Sequence, residues 1–213
     1  SEAGLPLAKL VLESAKKELA GLEWAIGIPG TVGGAINGNA GAFGRATSES
    51  VEEVEVFDIL EHSVKTFKKE DCKFGYRNSF FKRNSNLIIL SATLRLKKGS
   101  NEDIQKAIKD FTLQRIASNP VCPPAGGSVG CFFRNPGWEE AGEKEKIIAE
   151  FPELKQFSGK PKISAGFLIE NVGLKGKKIG GAMVSEKHAN FIINDDGKAS
   201  AEEIVSLTNL IKE

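Results

Sequence analysis

A glycine-rich segment is the part of this sequence whose composition most directly suggests chemistry. It runs from Gly27 to Gly44, through Gly30, Gly33 and Gly34, and it contains no lysine or arginine. Glycine lets backbone N–H groups approach an anion closely, so a phosphate here would be held by amide dipoles alone, as in a dinucleotide pyrophosphate site. The absence of a following Gly-Lys-Ser/Thr excludes a Walker A loop, and no strand–GxGxxG–helix unit with a downstream acidic residue surrounds the segment, which excludes a Rossmann fingerprint. Tight turns packed against a helix would have the same composition, so both interpretations stay open.

The composition of the chain narrows the classes of function. Its 213 residues include two histidines and three cysteines without CxxC spacing, so we expect no metal centre, no His-rich catalytic centre and no disulfide framework. Lys plus Arg is 29 against 28 for Asp plus Glu, and this balance removes the bulk attraction on which most nucleic-acid binding relies. No apolar run reaches the ~18 residues of a membrane span, and no signal peptide opens the chain. We therefore expect a cytoplasmic protein whose partners are neither nucleic acids nor membranes.

The spacing of apolar residues predicts both helices and strands. Because these elements do not alternate as βαβ units, the predicted fold class is α+β, in two domains that cover residues 1–100 and 101–213. A Pro/Gly-rich segment at 119–130 breaks the chain. A capping box, Ser200-Ala-Glu-Glu203, opens the last helix. The predicted helices are 5–20 and 102–117, the predicted strands are 51–58, 63–67 and 87–96, and a helix–strand set occupies 163–194.

Both ends of the chain suggest a fragment. Ser1 leads directly into a helical pattern, and Glu213 lies inside another pattern that neither glycine nor proline ends. We therefore expect the chain to be part of a longer protein, with residues missing at both ends.

Four segments, in order along the chain, resemble the UDP-N-acetylenolpyruvoylglucosamine reductase (MurB) family. The first, Gly21–Ala35, contains the start of the glycine-rich segment, and the others are Phe74–Ser79, Gly130–Pro136 and Ala165–Asn194. The resemblance covers nearly the whole chain, and four ordered motifs are far more specific than one glycine loop. It implies the second half of an FAD-binding domain, followed by a smaller α+β domain that binds substrate.

The resemblance also implies an activity. Members of this family reduce UDP-N-acetylglucosamine enolpyruvate to UDP-N-acetylmuramate for peptidoglycan synthesis, with bound FAD and with NADPH as reductant. The chain would then belong to a cytoplasmic, monomeric flavoprotein oxidoreductase needed for cell wall biogenesis, cell shape and cell division. Tyr76 is the one tyrosine, so the chain is similar to the subclass without a Tyr-bearing substrate loop. Two alternatives stay open: a different FAD-linked oxidase or dehydrogenase of similar fold, and a non-catalytic module that binds flavin or a UDP-sugar.

Such a reduction needs a group that stabilises the developing enolate and a group that donates a proton. The resemblance assigns the first role to Arg77, whose guanidinium matches a carboxylate. It assigns the second role, commonly filled by Ser in the family, to Cys131, where the motif matches. A thiol is a chemically sensible replacement, because with an ordinary pKa of about 8.5 it is protonated at neutral pH yet releases its proton more readily than a hydroxyl. Ser128 is the competing donor, although the spacing to the Asn-Pro that ends the motif favours Cys131. Cys72 and Cys122 are interpreted as packing residues.

The resemblance further implies which residues contact ligands, and comparison with the family pattern shows two departures. The family's catalytic Glu is expected beyond residue 213, and its N-terminal FAD-binding subdomain has no counterpart here. Ser79 is expected to order its loop and not to react. The implied FAD contacts are Gly30, Thr31, Val32, Gly33, Gly34, Asn39, Ala40 and Gly41, and the implied contacts with the UDP-sugar are Tyr76, Arg134, Asn135, Lys187, His188 and Asn190.

Overall fold

The computed structural model describes residues 1–120 and 127–213. Contacts within the chain divide it into two compact units, Ser1–Arg115 and Ile116–Glu213, and each is described by itself. The boundary between the two units thus falls inside a helix, Asn101–Ser118, whereas the sequence places the domain boundary after residue 100. That earlier boundary stays a prediction about which residues serve FAD and which serve the substrate.

The first unit combines short helices with short strands around one longer sheet. The sheet is antiparallel and three-stranded. In chain order the elements are α1 (Leu7–Lys16), β1 (Leu19–Ala20), α2 (Val32–Asn37), β2 (Gly41–Ala42), β3 (Arg45–Ala46), β4 (Val51–Asp58), β5 (Ser63–Lys68), α3 (Phe80–Arg83), β6 (Leu87–Leu94), β7 (Lys97–Lys98) and α4 (Asn101–Ser118), which continues beyond Arg115.

The central strand of that sheet, β4, lies between β5 and β6 and buries one of its faces. Val54 and Val56 are fully buried, whereas the alternating Glu53 and Glu55 are exposed. The two valines belong to one apolar core with Ile36 of α2, among others. Each such side chain stabilises the fold by about 1.5–3 kcal/mol when it is fully buried, so this face of the sheet fixes α2 and the loop before it.

The first residues of the chain link the sheet to the glycine-rich segment. Ala3 donates its backbone N–H to Leu90 of β6 at 2.8 Å, and its carbonyl accepts from the N–H of Gly33 at 2.8 Å. The carbonyl of Leu5 accepts from the N–H of Val32 at 2.9 Å. The start of α2 is therefore held by backbone bonds to the turn that the first residues of the chain form.

The second unit contains a four-stranded antiparallel sheet in the order β8–β11–β10–β9, together with several helices. Val184, Ile192 and Leu207 form its main apolar core with their neighbours. A second cluster forms around Trp138 and Phe157. The elements are β8 (Ser128–Cys131), α5 (Trp138–Ala141), α6 (Lys144–Glu150), α7 (Ala165–Asn171), β9 (Lys178–Ile179), β10 (Ala182–Val184), β11 (Phe191–Asn194) and α8 (Ala201–Lys212).

These elements confirm the α+β fold class and most of the predicted segments. β4, α4 and the capping box at Ser200 lie where the sequence predicts them, and the hydroxyl of Ser200 accepts from the N–H of Glu203 at 3.1 Å. The first helix is shorter than predicted, because Glu18 adopts a positive φ of 57° and the next two residues pair with β7. In the described part of the chain, no helix combines the length and the apolar character that crossing a membrane requires.

A buried carboxylate closes the turn after β4. Asp58 accepts hydrogen bonds from Nζ of Lys65 at 2.8 Å, from Nδ2 of Asn86 at 3.0 Å and from the N–H of Leu60 at 3.0 Å. The bonds from Lys65 and then Asn86 are the main causes that lower the pKa of Asp58 from 3.8 to about 2.

We expect the change Asp58→Asn to destabilise this chain in a pH-dependent way. Because the pKa of Asp58 is lower in the folded chain, its carboxylate contributes stability above its unfolded pKa, about 3.9, and this contribution is lost as the pH falls toward about 2. The difference in free energy of unfolding between wild type and Asp58→Asn, measured by urea denaturation, should therefore shrink over that interval. A difference that stays constant with pH would contradict this account of Asp58.

Candidate functional site

The start of the glycine-rich loop does not present its amides as an anion cradle. The backbone N–H groups of Val32, Gly33 and Gly34 each donate within the chain, so they are not available to a phosphate. The acceptors are the carbonyl oxygens of Leu5 and Ala3 and Oγ1 of Thr31, at 2.9, 2.8 and 3.2 Å. Because the first residues of the chain and the N-cap of α2 use these amides, the geometry at the three positions favours the other interpretation, tight turns packed against a helix. The contacts with FAD that the resemblance implies here stay predictions.

The same loop does present an exposed backbone at Gly30 and Thr31. Gly30 has a positive φ of 112°, which favours glycine, and a Cβ there would have no neighbour within 4 Å. Gly33 is different, because a Cβ at that position would lie 2.8 Å from Cβ of Ala3. Val32 is buried and can offer no side-chain contact. Among the implied FAD contacts at the start of α2, Gly30, Thr31 and Gly34 are thus exposed, and Gly30 has the most open space before its backbone.

The end of the glycine-rich loop is hydrogen-bonded to the segment that carries Arg77. Asn39 is buried, and its Nδ2 donates to the carbonyl of Gly75 at 2.9 Å while its Oδ1 accepts from the N–H of Ser48 at 3.0 Å. Ser79 is fully buried and its Oγ donates to the carbonyl of Asn37 at 2.7 Å. Ser79 therefore orders its loop, as the sequence predicts. The amide of Asn39 is used inside the protein, where the resemblance implied a contact with FAD.

Arg77 lies against the glycine-rich loop. Its Nη2 donates to the carbonyl of Gly41 at 2.6 Å, and its guanidinium carbon lies 5.2 Å from the ring centroid of the exposed Tyr76. Arg77 also has a positive φ of 52°, in the region that most residues avoid. A Cβ on Gly41 would lie 2.5 Å from the backbone carbonyl of Arg45, so glycine is needed there for β2 to pair with β3. The same Cβ would lie 3.1 Å from Nη1 of Arg77, so its absence also gives the guanidinium room. The structure thus brings together Arg77 and Gly41, to which the family resemblance assigns catalysis and contact with FAD.

In the second unit, both candidate proton donors lie on β8. Cys131 is exposed and pairs with Phe191 of β11 at the end of the strand. Ser128 is also exposed, pairs with Ile193, and accepts the N–H of Gly130 on its Oγ at 3.1 Å. The strand pairing shifts register between these two positions. The choice between the two donors stays a prediction.

Asn190 is built into the fold next to that strand. Its side chain is 3% exposed; Oδ1 accepts from the N–H of Phe133 and Nδ2 donates to the carbonyl of the same residue, both at 2.8 Å. Its own carbonyl accepts from the N–H of Phe132 at 2.7 Å. Because the side chain is buried and both of its polar atoms bind Phe133, little of this amide is open to a substrate. The signal for this role was present in the sequence, because an Asn inside the apolar run 189–193 must find hydrogen-bond partners.

The other implied substrate contacts differ in exposure. Arg134 and Lys187 are exposed cations, and Nζ of Lys187 donates to the carbonyl of Ile116. Oδ1 of Asn135 accepts from the N–H of Ala165 at 3.0 Å and so connects the end of the Gly130–Pro136 motif to the start of α7. Part of the polar surface implied for substrate is thus used to hold the fold.

His188 is partly buried. Burial lowers its pKa, and its Nδ1 accepts the N–H of Asn190 at 3.2 Å, an arrangement that fits the neutral imidazole. The ring lies 4.9 Å from that of Phe191. At neutral pH this residue therefore offers an uncharged surface and no positive charge for a diphosphate.

Of the two remaining cysteines, the structure describes Cys72, which is a packing residue. Cys72 is fully buried in the core of the first unit, its Sγ donates to the carbonyl of Lys68, and burial is the main cause that raises its pKa to about 11. Its packing role is confirmed, whereas Cys122 lies outside the described residues. Within the described ranges, no three His, Cys, Asp or Glu side chains are grouped so as to hold a metal ion.

Two known protein families match this chain, one in each unit. The C-terminal domain of UDP-N-acetylenolpyruvoylglucosamine reductase matches residues 122–213. An FAD binding domain matches residues 1–63. The order of the two matches agrees with the fold class that the resemblance implied, a partial FAD-binding domain followed by a smaller substrate domain.

The chain is also similar to individual reductases whose sequences or structures are known. The chain is 39% identical over 211 residues to a UDP-N-acetylenolpyruvoylglucosamine reductase of Fervidobacterium nodosum, and the aligned region covers 99% of the chain and 59% of that protein. It is 40% identical over 212 residues to one of Thermosipho melanesiensis, covering 100% of the chain and 63% of that protein. A crystal structure of this reductase from Thermus caldophilus matches with a TM-score of 0.77 and 32% identity, over 99% of the chain and 66% of that structure. The chain spans about three fifths of the length of these curated relatives, and it belongs to the UDP-N-acetylenolpyruvoylglucosamine reductase family.

Proposed function

We propose that this chain is part of an FAD-dependent enzyme that uses NADPH to reduce UDP-N-acetylglucosamine enolpyruvate to UDP-N-acetylmuramate. The observation that carries the proposal is the position of Arg77 beside the glycine-rich loop, fixed by its bond to Gly41 and by the bonds of Asn39 and Ser79. The names of the curated relatives support the same reaction. The proposal places the protein in the cytoplasm, as a monomer, in peptidoglycan precursor synthesis.

The residues of the glycine-rich loop fit FAD as an exposed surface. A ligand can lie directly against the backbone of Gly30 and Thr31, because Gly30 has no Cβ and open space lies before it. The amides of Val32, Gly33 and Gly34 donate within the chain and do not fit a pyrophosphate cradle. We therefore assign the FAD contact of this loop to Gly30 and Thr31. Held there, FAD would supply the hydride-transfer chemistry that links NADPH to one alkene carbon of the substrate.

Arg77 would stabilise the charge that develops on the substrate. When an alkene next to a carboxylate gains a hydride, the electron pair left on the neighbouring carbon delocalises into the carboxylate as an enolate. A guanidinium presents several N–H donors in one plane, which matches the two oxygens of that group. The bond from Nη2 of Arg77 to Gly41 fixes the orientation of this plane before the substrate arrives.

Cys131 would complete the reaction as proton donor. The electron pair of the enolate forms a C–H bond with the proton of Sγ, and the thiolate that remains regains a proton from water. The exposed position of Cys131 at the end of β8 allows contact with both substrate and water. Ser128, on the same strand, is the competing donor.

Exposed cations of the second unit would recognise the diphosphate of the substrate. Arg134 and Lys187 are both exposed, and either can donate charge-assisted hydrogen bonds to phosphate oxygens. His188 would contribute a neutral ring. Asn190 would act from inside the protein, because its amide is bound to Phe133.

The reaction is tested most simply with the complete gene product that contains this chain, held without oxygen. After NADPH has bleached the visible flavin band, UDP-N-acetylglucosamine enolpyruvate is added and the band is followed. We expect the band to return promptly, because electrons pass to the enol ether. A band that stays bleached would overturn the proposed substrate and favour another FAD-linked oxidase, and a protein with no flavin band would favour a binding module.

We expect Cys131→Ala to reduce product formation in that complete protein by about 10²–10⁴-fold, because a positioned proton donor contributes on that scale. Reduction of the flavin by NADPH should continue, since no proton is transferred from Cys131 in that step. Cys131→Ser should keep more of the activity than Cys131→Ala. The matched variant is Ser128→Ala, on the same strand, and if it abolished product formation while Cys131→Ala did not, the roles of the two residues would be reversed.

We expect Arg77→Lys to lower kcat in the complete protein by about 10²–10³-fold, the usual effect of removing one preorganised donor at a developing anion. Lysine keeps the charge but offers no planar pair of donors and cannot reproduce the Nη2 contact with Gly41. Arg83→Lys, on α3 of the same unit, is the control because Arg83 is exposed and makes none of these contacts. Equal kinetic parameters for wild type and Arg77→Lys would contradict the proposed role of the planar guanidinium.

A further inference from the structure

The hydrogen bonds of Asn190 continue the strand pairing of β8 beyond the last regular pair. That pair joins Cys131 to Phe191, and the pairing is irregular between Phe191 and Ile193. Past this point the backbone N–H of Phe132 donates to the carbonyl of Asn190, and the side-chain amide of Asn190 then binds both backbone groups of Phe133. A side-chain amide thus takes the place of a peptide group in the ladder.

Every polar atom of Asn190 has a partner in this arrangement. The two backbone groups are bound to His188 and Phe132, and the two side-chain groups are bound to Phe133. The residue is 3% exposed, so water cannot replace a lost bond at this position. Loss of the amide would leave the N–H and the carbonyl of Phe133 without these partners.

Phe133 is consequently fixed from two sides. Its side chain packs against the main apolar core of the second unit, and its backbone is held by Asn190. Cys131 lies two residues before it and is paired with Phe191, the residue that follows Asn190. The position of Cys131 relative to the sheet therefore depends on both Phe191 and the Asn190–Phe133 bonds.

We propose that Asn190 is a positioning residue, which fixes the backbone from Cys131 to Phe133 and thereby places the side chain of Cys131. This inference rests on the proposed role of Cys131 as proton donor. Asn190 acts through Phe133 and touches no substrate, which separates it from the contact that the family resemblance implied.

The substitution Asn190→Asp tests the proposal, because its effect reverses with pH. A protonated aspartate can accept the N–H of Phe133 and donate its O–H to the carbonyl, as the amide does. An ionised aspartate cannot donate, repels the carbonyl and carries a charge into a buried site, so the end of β8 should open. Burial raises the pKa of such a carboxyl, which brings its titration between about pH 5 and about pH 8.

Amide hydrogen exchange of Phe132 and Phe133, corrected for the intrinsic effect of pH, is the primary measurement. In Asn190→Asp we expect protection near that of wild type at about pH 5 and at least about tenfold lower at about pH 8. Wild type measured at both pH values reports any contribution of His188, which contacts Asn190. Asn190→Leu should lose protection at both pH values. Thr208→Val, which removes a buried hydroxyl bond of 2.7 Å to Ile204 on α8, is the control for general destabilisation and should leave this protection unchanged.

Kinetics of Asn190→Asp in the complete gene product test whether the placement of Cys131 affects the reaction. We expect kcat of Asn190→Asp, relative to wild type, to fall about tenfold between about pH 5 and about pH 8 with KM little changed, and the exchange and kcat profiles to share one apparent pKa. Protection that does not respond to pH would overturn the positioning role. Protection lost without a fall in kcat would overturn it as well, provided that Cys131→Ala is inactive. A fully active Cys131→Ala would instead overturn the proposed role of Cys131, whatever Asn190→Asp does.

Discussion

A buried side-chain amide must have both its donor and its acceptor bound, and two such amides connect the segments of this protein that carry its candidate chemistry. In the first unit, Asn39 binds Gly75 and Ser48, and so joins the glycine-rich loop to the segment of Arg77. In the second unit, Asn190 binds both backbone groups of Phe133 next to Cys131. Since an unpartnered buried amide costs about 1–3 kcal/mol per group, these bonds confine each segment to one arrangement.

This constraint explains why asparagine and glycine stand where they do in the loop of the first unit. Asn39 has a positive φ of 42°, which Asn tolerates better than most residues, and its amide can reach two backbone segments at once. Gly41 leaves the space that the guanidinium of Arg77 fills. The loop is therefore shaped as much by the need to hold Arg77 as by the need to leave backbone open to a ligand at Gly30.

Local sequence patterns predicted more of the fold than of the candidate site. Alternation in β4 and the capping box at Ser200 are determined by neighbouring residues, and both were predicted correctly. Gly75, which accepts from the amide of Asn39, lies 36 residues away, and Phe133, which the amide of Asn190 binds, lies 57 residues away; no local pattern indicates either partner. The bonds that occupy the amides of Val32 and Gly33 could not be predicted for the same reason, because Ala3 and Leu5 reach the start of α2 only in the folded chain. The family resemblance supplied the candidate reaction, and the structure shows which of the implied contacts are used internally.

The most direct test of this account is the hydrogen exchange of side-chain amides in the folded chain, followed by nitrogen–proton NMR in heavy water. The NH₂ groups of Asn39 and Asn190 should exchange far more slowly than that of the exposed Asn101, because each is buried and bound to a backbone carbonyl. Exchange of either group as fast as that of Asn101 would contradict the claim that these two amides fix the segments of Arg77 and Cys131.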